Sequence, residues 1–215
     1  MIIAVSVMRR RPDISVEHFR RHWIHPHGTM TAELPGILHY KLGRLDDSPL
    51  TNDFARELAI DGFAILSFRT IEDRTKAYTS PRIRECNKDS EHFVGAVRRL
   101  VTECPDSTPQ HGSERSVKVY LLKVGEGGQD EAWLDAVSKA VASMPNVEAS
   151  ALHHIQSQAG PPESRIATLE LNVAGFAEIW FDGEPDADVL KAALSSAGVD
   201  DATTAVWRGD DHRMV

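Results

Sequence analysis

The sequence predicts an α+β protein: two ferredoxin-like β-α-β-β-α-β repeats packed sheet to sheet within one chain. Three observations carry this. Gly62-Phe63-Ala64-Ile65-Leu66-Ser67-Phe68 is answered by Gly175-Phe176-Ala177-Glu178-Ile179-Trp180-Phe181, and both read G-F-A-x-x-x-F. Leu34-Pro35-Gly36-Ile37 is answered by Met144-Pro145-Asn146-Val147. The offsets, 113 and 110 residues, fit one duplication with a small indel, and both matches fall at the same place in a repeated order of elements. A four-stranded sheet with helices on one side leaves its other face bare, and a second copy can cover it.

The elements follow in order. Residues 2–8 are β-branched and apolar, a first strand ended by Pro12 and Asp13. Ser15 is an N-cap whose oxygen can accept first-turn amides. Val16, Phe19 and Trp23 then form an apolar stripe for a helix over 16–24. Pro26 disfavours helix at His25, so the helix breaks there and resumes through Met30 to Leu34. Pro35-Gly36 is a turn, and 37–45 a second strand with Leu38, Tyr40 and Leu42 on one face and His39 and Lys41 on the other. Residues 46–58 read as a long polar connection, 60–70 as a third strand, 72–78 as a helix continuing past Ser80-Pro81 to about Phe93, and 97–104 as a fourth strand. Residues 105–115 have linker composition, which divides the chain into repeats at 1–106 and 116–215. The second repeat reads as a strand at 117–124, a Gly-rich turn, a helix at 131–143, a strand at 173–181, a helix at 188–195 and a last strand at 203–208.

Composition narrows the partners. Hydrophobic residues are 41% and charged ones 26% of 215, a globular profile. The net charge of −8 argues against a nucleic-acid binder, which needs clustered Lys and Arg. The runs Arg9-Arg10-Arg11 and Arg20-Arg21 read as solvated faces or, less simply, an anion contact. Cys86 and Cys104 lack a ligand spacing and read as reduced, inert thiols. The N-terminus is apolar and then basic, the reverse of a signal peptide, and too short to span a bilayer; the expectation is a cytoplasmic protein without membrane contact. Gly125 to Gly128 lacks the Lys-Ser/Thr of a phosphate loop.

Five of the ten histidines lie between Arg9 and Tyr40: His18, His22, His25, His27 and His39. His18 and His22 have metal-capable i, i+4 spacing, but they flank an Arg pair on what reads as a solvated face, so no metal is expected. His153-His154 reads as a pair at a strand end pointing to opposite faces. The second repeat has no Trp-x-x-x-His-Gly segment, so Trp23 to Gly28 is what the first half has beyond fold.

Arg10-Arg11-Pro12, Ser15 with Phe19, Trp23 with His27-Gly28, Leu34-Pro35-Gly36 and Tyr40 together resemble the EthD family of dimeric α/β barrel proteins. Asp61-Gly62, and Asp89 with Phe93, match its later motifs. The resemblance covers about the first hundred residues, and Ala174 stands where Asp61 does in the second repeat. It implies an intrachain barrel around an apolar pocket, and relatives that include muconolactone methylisomerases and polyketide cyclases and dehydratases, most of them without a metal or organic cofactor. Other dimeric α/β barrels bind haem through a histidine, but no residue here signals it. In the isomerase relatives, a histidine at the position of His27 and a tyrosine at that of Tyr40 are associated with the active site.

The expected function is a cofactor-independent isomerase, cyclase, dehydratase or lyase for a small aromatic, polyketide-like or lactone metabolite in an inter-sheet pocket. His27 serves as general acid/base, Tyr40 as hydrogen-bond donor to an enolate or phenolate, and Asp61 as an orienting group. Trp23, His25, His39 and Phe63 are the expected substrate contacts. The plainer readings are that His27 caps a helix C-terminus, Tyr40 packs at a rim, and Asp61 holds the turn beside Gly62. The alternative function is a non-catalytic binding or accessory protein of an oxidative degradation pathway. Either fits a monomeric pseudo-dimer or a homodimer.

Overall fold

A computed structural model describes residues 1–104, 116–126, 128–161 and 165–215. The first repeat contains β1 (Ile2–Arg10), α1 (Val16–His22), a π-helical segment (Trp23–Gly28), α2 (Thr29–Ala32), β2 (Ile37–Asp46), α3 (Asp53–Leu58), β3 (Gly62–Phe68), α4 (Ile71–Thr79), α5 (Pro81–Ser90) and β4 (Val94–Glu103). The second contains β5 (Ser116–Val124), α6 (Glu131–Ser143), β6 (Val147–Ala159), the two-residue β7 (Ala167–Thr168), β8 (Val173–Asp182), α7 (Ala187–Ser196) and β9 (Thr204–Arg213). The linker expected at 105–115 lies outside the described residues, as does Gly127 of the Gly-rich turn.

The α+β tandem barrel of the sequence reading is what forms. The strands run β1-β3-β2-β9-β5-β8-β6-β4, and β4 pairs back with β1. The repeats therefore join edge to edge as well as face to face. Antiparallel seams between β2 and β9 (Lys41↔Arg213 to Asp46↔Arg208) and between β4 and β6 (Arg99↔Ala159 to Glu103↔His154) close one eight-stranded barrel. Closure satisfies the edge amides and carbonyls of these strands within the chain.

The pseudo-symmetry reaches individual contacts. A Cβ on Gly62 would lie 2.5 Å from the Trp23 ring, and one on Gly175 would lie 2.3 Å from the Trp133 ring. Each repeat thus presses a helix tryptophan onto the bare backbone that opens its G-F-A strand. Gly36 and Asn146, at matching turn positions, both take left-handed φ values of +75° and +63°, which Gly and Asn tolerate best.

Several boundaries differ from the sequence reading. The connection at 46–58 contains α3, capped by Asn52, whose Oδ1 accepts from Ala55 N at 2.9 Å. The helix after β3 is two helices, because Ser80 turns extended and caps α5. β9 runs to Arg213, five residues past the expected end. The break at His25 is present: its φ and ψ are −138° and 124°, extended values imposed before Pro26. His153 and His154 do point to opposite faces, but from within β6 and not at its end.

Aromatic side chains pack inside the barrel. Phe63 packs on Tyr120, Phe176 and Trp207 with ring centroids 5.0, 5.1 and 5.6 Å away. Large aromatics thus occupy part of the inter-sheet space where the sequence predicts a pocket, and a recess that holds His27 and Tyr40 lies on the opposite face of the sheet, under the helices of the first repeat.

Candidate active site

The recess is bounded by the outer face of β1, β2, β3 and β4, by α2, and by α4 and α5. His27, Thr31, Tyr40, Tyr78, Cys86 and Arg99 are its chemically distinctive lining residues, set among apolar walls such as Leu66, Ile83 and Val97. The space open to the centre of a water-sized sphere is about 50 Å³, and the recess counted out to open solvent encloses about 530 Å³.

His27 is brought here by the π-helical segment. Its Nδ1 lies 3.0 Å from Asp89 Oδ2, its Nε2 lies 3.3 Å from Thr31 Oγ1, and its ring meets Phe93 edge-on at 4.9 Å. A carboxylate only accepts, so Nδ1 carries the proton and Nε2 is left as the base. The other Asp89 oxygen meets His22 Nε2 at 3.1 Å. Burial works against the Asp89 charge, but the hydrogen bonds and charges of His27 and His22 outweigh it and hold its pKa below the usual value. Sequence reasoning recognised Asp89 as a motif residue without its role; 62 residues separate it from His27.

Tyr40 is fully buried, reaching the recess from β2 as strand parity requires. Burial pushes its phenol pKa up; nearby Thr31 and Trp23 offset this only in part. Neither Tyr40 Oη nor Trp23 Nε1 has a hydrogen-bond partner of standard geometry. Thr31 Oγ1 also lies 3.7 Å from Cys86 Sγ, and burial pushes that thiol up, which favours the inert reading.

The remaining expected site residues are dispersed. Asp61 accepts from Arg10 N at 2.8 Å and pairs with the Arg10 guanidinium, locking the start of β3 to the end of β1. Phe63 faces the barrel interior. Trp23 is buried against Gly62 and Phe19. His25 is exposed, with Nδ1 2.8 Å from Thr29 Oγ1. His39 is half-buried on the strand face opposite Tyr40, and burial lowers its pKa. No group of three or more His, Cys, Asp and Glu among the described residues is arranged to hold a metal ion.

The sequence reading missed a second polar cluster, inside the barrel. Glu178, 1% exposed, pairs with Lys118 and with Lys41 (2.9 Å), and its Oε1 lies 2.9 Å from His153 Nε2. His153 Nδ1 meets Thr102 Oγ1 at 3.0 Å. Lys118 and the Tyr120 hydroxyl both donate to Asp211, at 2.6 and 2.5 Å. Burial opposes the Glu178 charge, yet Lys118 and Lys41 hold it well below the usual range. Burial lowers Lys118, with Asp211 and Glu178 recovering only part. Two cations and two carboxylates balance, so the cluster reads as a satisfied internal network.

Among the described residues of the second repeat, apolar side chains take the places of the polar groups of this recess. Registers and the Trp–Gly contacts align Ser6, His27, Thr31 and Arg99 with Leu121, Val137, Val141 and Val206, and these four belong to or pack on one apolar core. The polar groups of the first repeat are thus not needed to hold helix on sheet.

Comparison with known proteins agrees. The EthD domain family model matches residues 11–96. Curated proteins include no match to the sequence. Among solved structures, an anthrone oxidase-like protein superposes with a TM-score of 0.61 at 14% identity, over 99% of this chain and 92% of that one. A candidate monooxygenase of Fusobacterium nucleatum subsp. nucleatum gives 0.60 at 7%, over 98% and 91%. A chlorite dismutase mutant of Candidatus Nitrospira defluvii gives 0.51 at 12%, over 97% and 91%. At these identities the likeness is one of fold. The match spans most of the first repeat, so residues 11–96 resemble an EthD domain, set in a chain whose fold is a tandem dimeric α/β barrel.

Proposed function

We propose that this protein is a proton-transferring enzyme, an isomerase, cyclase, dehydratase or lyase, acting on a small aromatic or lactone-like metabolite in the recess under the first repeat's helices. The observation that carries this is the Asp89–His27 pair opening on the same recess as the buried, unpartnered hydroxyl of Tyr40. Asp89 holds the His27 tautomer, and Nε2 removes a proton from an acidic substrate C–H. Tyr40, kept neutral by burial, donates to the oxygen on which negative charge develops. His27 then returns its proton to another atom of the substrate, and the base is regenerated. These steps are complete with side chains alone.

A second reading, a non-catalytic binder of the same metabolites, is favoured by the tightness of the recess, whose free space for a water-sized sphere is about 50 Å³. Deuterium exchange separates the two. Phenylpyruvate and α-angelica lactone, incubated with protein in D2O and followed by NMR, are expected to exchange their acidic C–H faster with wild type than in buffer. His27→Gln should cut the catalysed rate by about 10²–10⁴ with an unchanged circular dichroism spectrum. Exchange unaffected by His27→Gln sinks the catalytic role, and no catalysed exchange of either probe favours the binder.

A further inference from the structure

The recess carries one arginine, Arg99, and a second, Arg74, lies against its lining residue Tyr78; no carboxylate of the described residues meets either. Arg99, on β4, donates from Nη2 to Asn87 Oδ1 at 2.8 Å, and its guanidinium lies 6.0 Å from the Tyr78 ring. Arg74, on α4, lies 4.4 Å from the same ring, and its Nε is buried without a hydrogen-bond partner. Arg99 and Tyr78 both line the recess with His27 and Tyr40. Burial works against the Arg99 charge, and Arg74 adds like-charge repulsion.

What sets this pair apart from other arginines without a carboxylate is that both guanidiniums lie against one ring, Tyr78, that lines the recess. Asp and Glu number 32 against 24 Lys and Arg, so acids are in excess. Arg10, Arg44, Arg56, Arg82 and Arg208 each meet a carboxylate. Two adjacent guanidiniums left without one, partly out of water, are costly unless an anion joins them. The fold does not require the arrangement either, since the register sets core Val206 at the place of Arg99. A planar guanidinium fork matches a carboxylate with two parallel hydrogen bonds, and the apolar walls at Leu66, Ile83 and Val97 suit a hydrophobic body attached to it.

We propose that the recess takes a small organic acid with an aromatic or unsaturated body, its carboxylate held by Arg99 beside Tyr78, with Arg74 adding positive charge nearby, and its reacting carbon turned toward His27. This rests on the recess being the active site, and deepens that reading by naming the substrate class. The neutral end of such a molecule meets Tyr40, and its charge stays at the arginine end, away from Asp89.

The test compares benzoate with its uncharged isostere benzamide, by chemical-shift titration of the full-length protein. Benzoate is expected to bind at least about tenfold more tightly than benzamide, and more weakly as salt is raised. Arg99→Met should weaken benzoate about tenfold or more, and Arg74→Met by less, with benzamide unchanged in both. Arg99→Lys, which keeps the charge but not the fork, should fall between, and it covers the case of a poorly folded Arg99→Met. Equal affinities for the two probes, no benzoate binding at tens of millimolar, or benzoate affinity insensitive to both arginines would overturn the proposal. Arginine-dependent benzoate binding without catalysed C–H exchange would instead uphold the acid site and count against the proton-transfer reading.

Discussion

Asp89 is the residue on which the candidate site turns, because one carboxylate fixes both His22 and His27. Asp89→Asn should lower catalysed C–H exchange about 10–100-fold, since a partner that orients a histidine tunes its basicity without touching substrate. It should also cost about 1 kcal/mol of stability at neutral pH. The folded carboxyl has the lower pKa, so between the two values the unfolded chain binds more protons. Its contribution is therefore full above about pH 4, the unfolded value, and fades as pH falls through the folded one. Denaturant melts of both proteins from pH 7 to 3 should converge at the acid end. His27 and Tyr40 were legible as site residues from their motif positions, and Tyr40's face from strand parity. The Asp89 contact was not, because no local rule links residues 62 apart.

At the level of elements, local chemistry predicted most of what formed. Helix α6 has the expected bounds, and its N-cap Asp130 accepts from Trp133 N at 3.0 Å. Asp130→Ala should cost about 1 kcal/mol in a chemical melt. The six-residue helix α3 escaped notice because so short a helix gives no periodicity to read. Packing between elements turns on Gly62 and Gly175. Gly62→Ala places a methyl inside the Trp23 ring's contact distance and should destabilise by about 1–3 kcal/mol. Gly175→Ala against Trp133 should cost a similar amount, and a midpoint unchanged for either variant would contradict the contact.

Across the whole molecule, the closed barrel and its internal network depend on each other. Lys118 and Glu178 sit on neighbouring strands β5 and β8, and Lys41 and Asp211 arrive across the β2–β9 seam, so one cluster ties the two repeats together. Glu178→Leu leaves two buried cations short of a partner and should cost about 3–5 kcal/mol; adding Lys118→Met should recover part of it. Burial raises the Glu178 pKa and the two lysines depress it further, so its stabilisation is lost as pH falls. Acid unfolding of the Glu178→Leu protein should accordingly be less steep than that of wild type. A fragment of residues 1–104 would expose the edges of β2 and β4 that β9 and β6 cover. It should associate on size-exclusion chromatography, whereas a monomeric, stable fragment would show that the seams are dispensable.

What the sequence determined by itself is what is local or repeated. The duplication, the break at His25, the turn at Pro35-Gly36 and the alternation along β2 are written in residue types whose backbone preferences act over a few positions. The tertiary structure alone decided which recess His27 and Tyr40 share. Phe63, expected as a substrate contact, packs inside the barrel instead, because Phe63, Tyr120, Phe176 and Trp207 converge from four different strands. The recess survives instead where His27, Tyr40 and Arg99 stand in place of the second repeat's apolar packing. Volume is set by which side chains meet, and that depends on register across the whole sheet, which no stretch of the sequence carries alone.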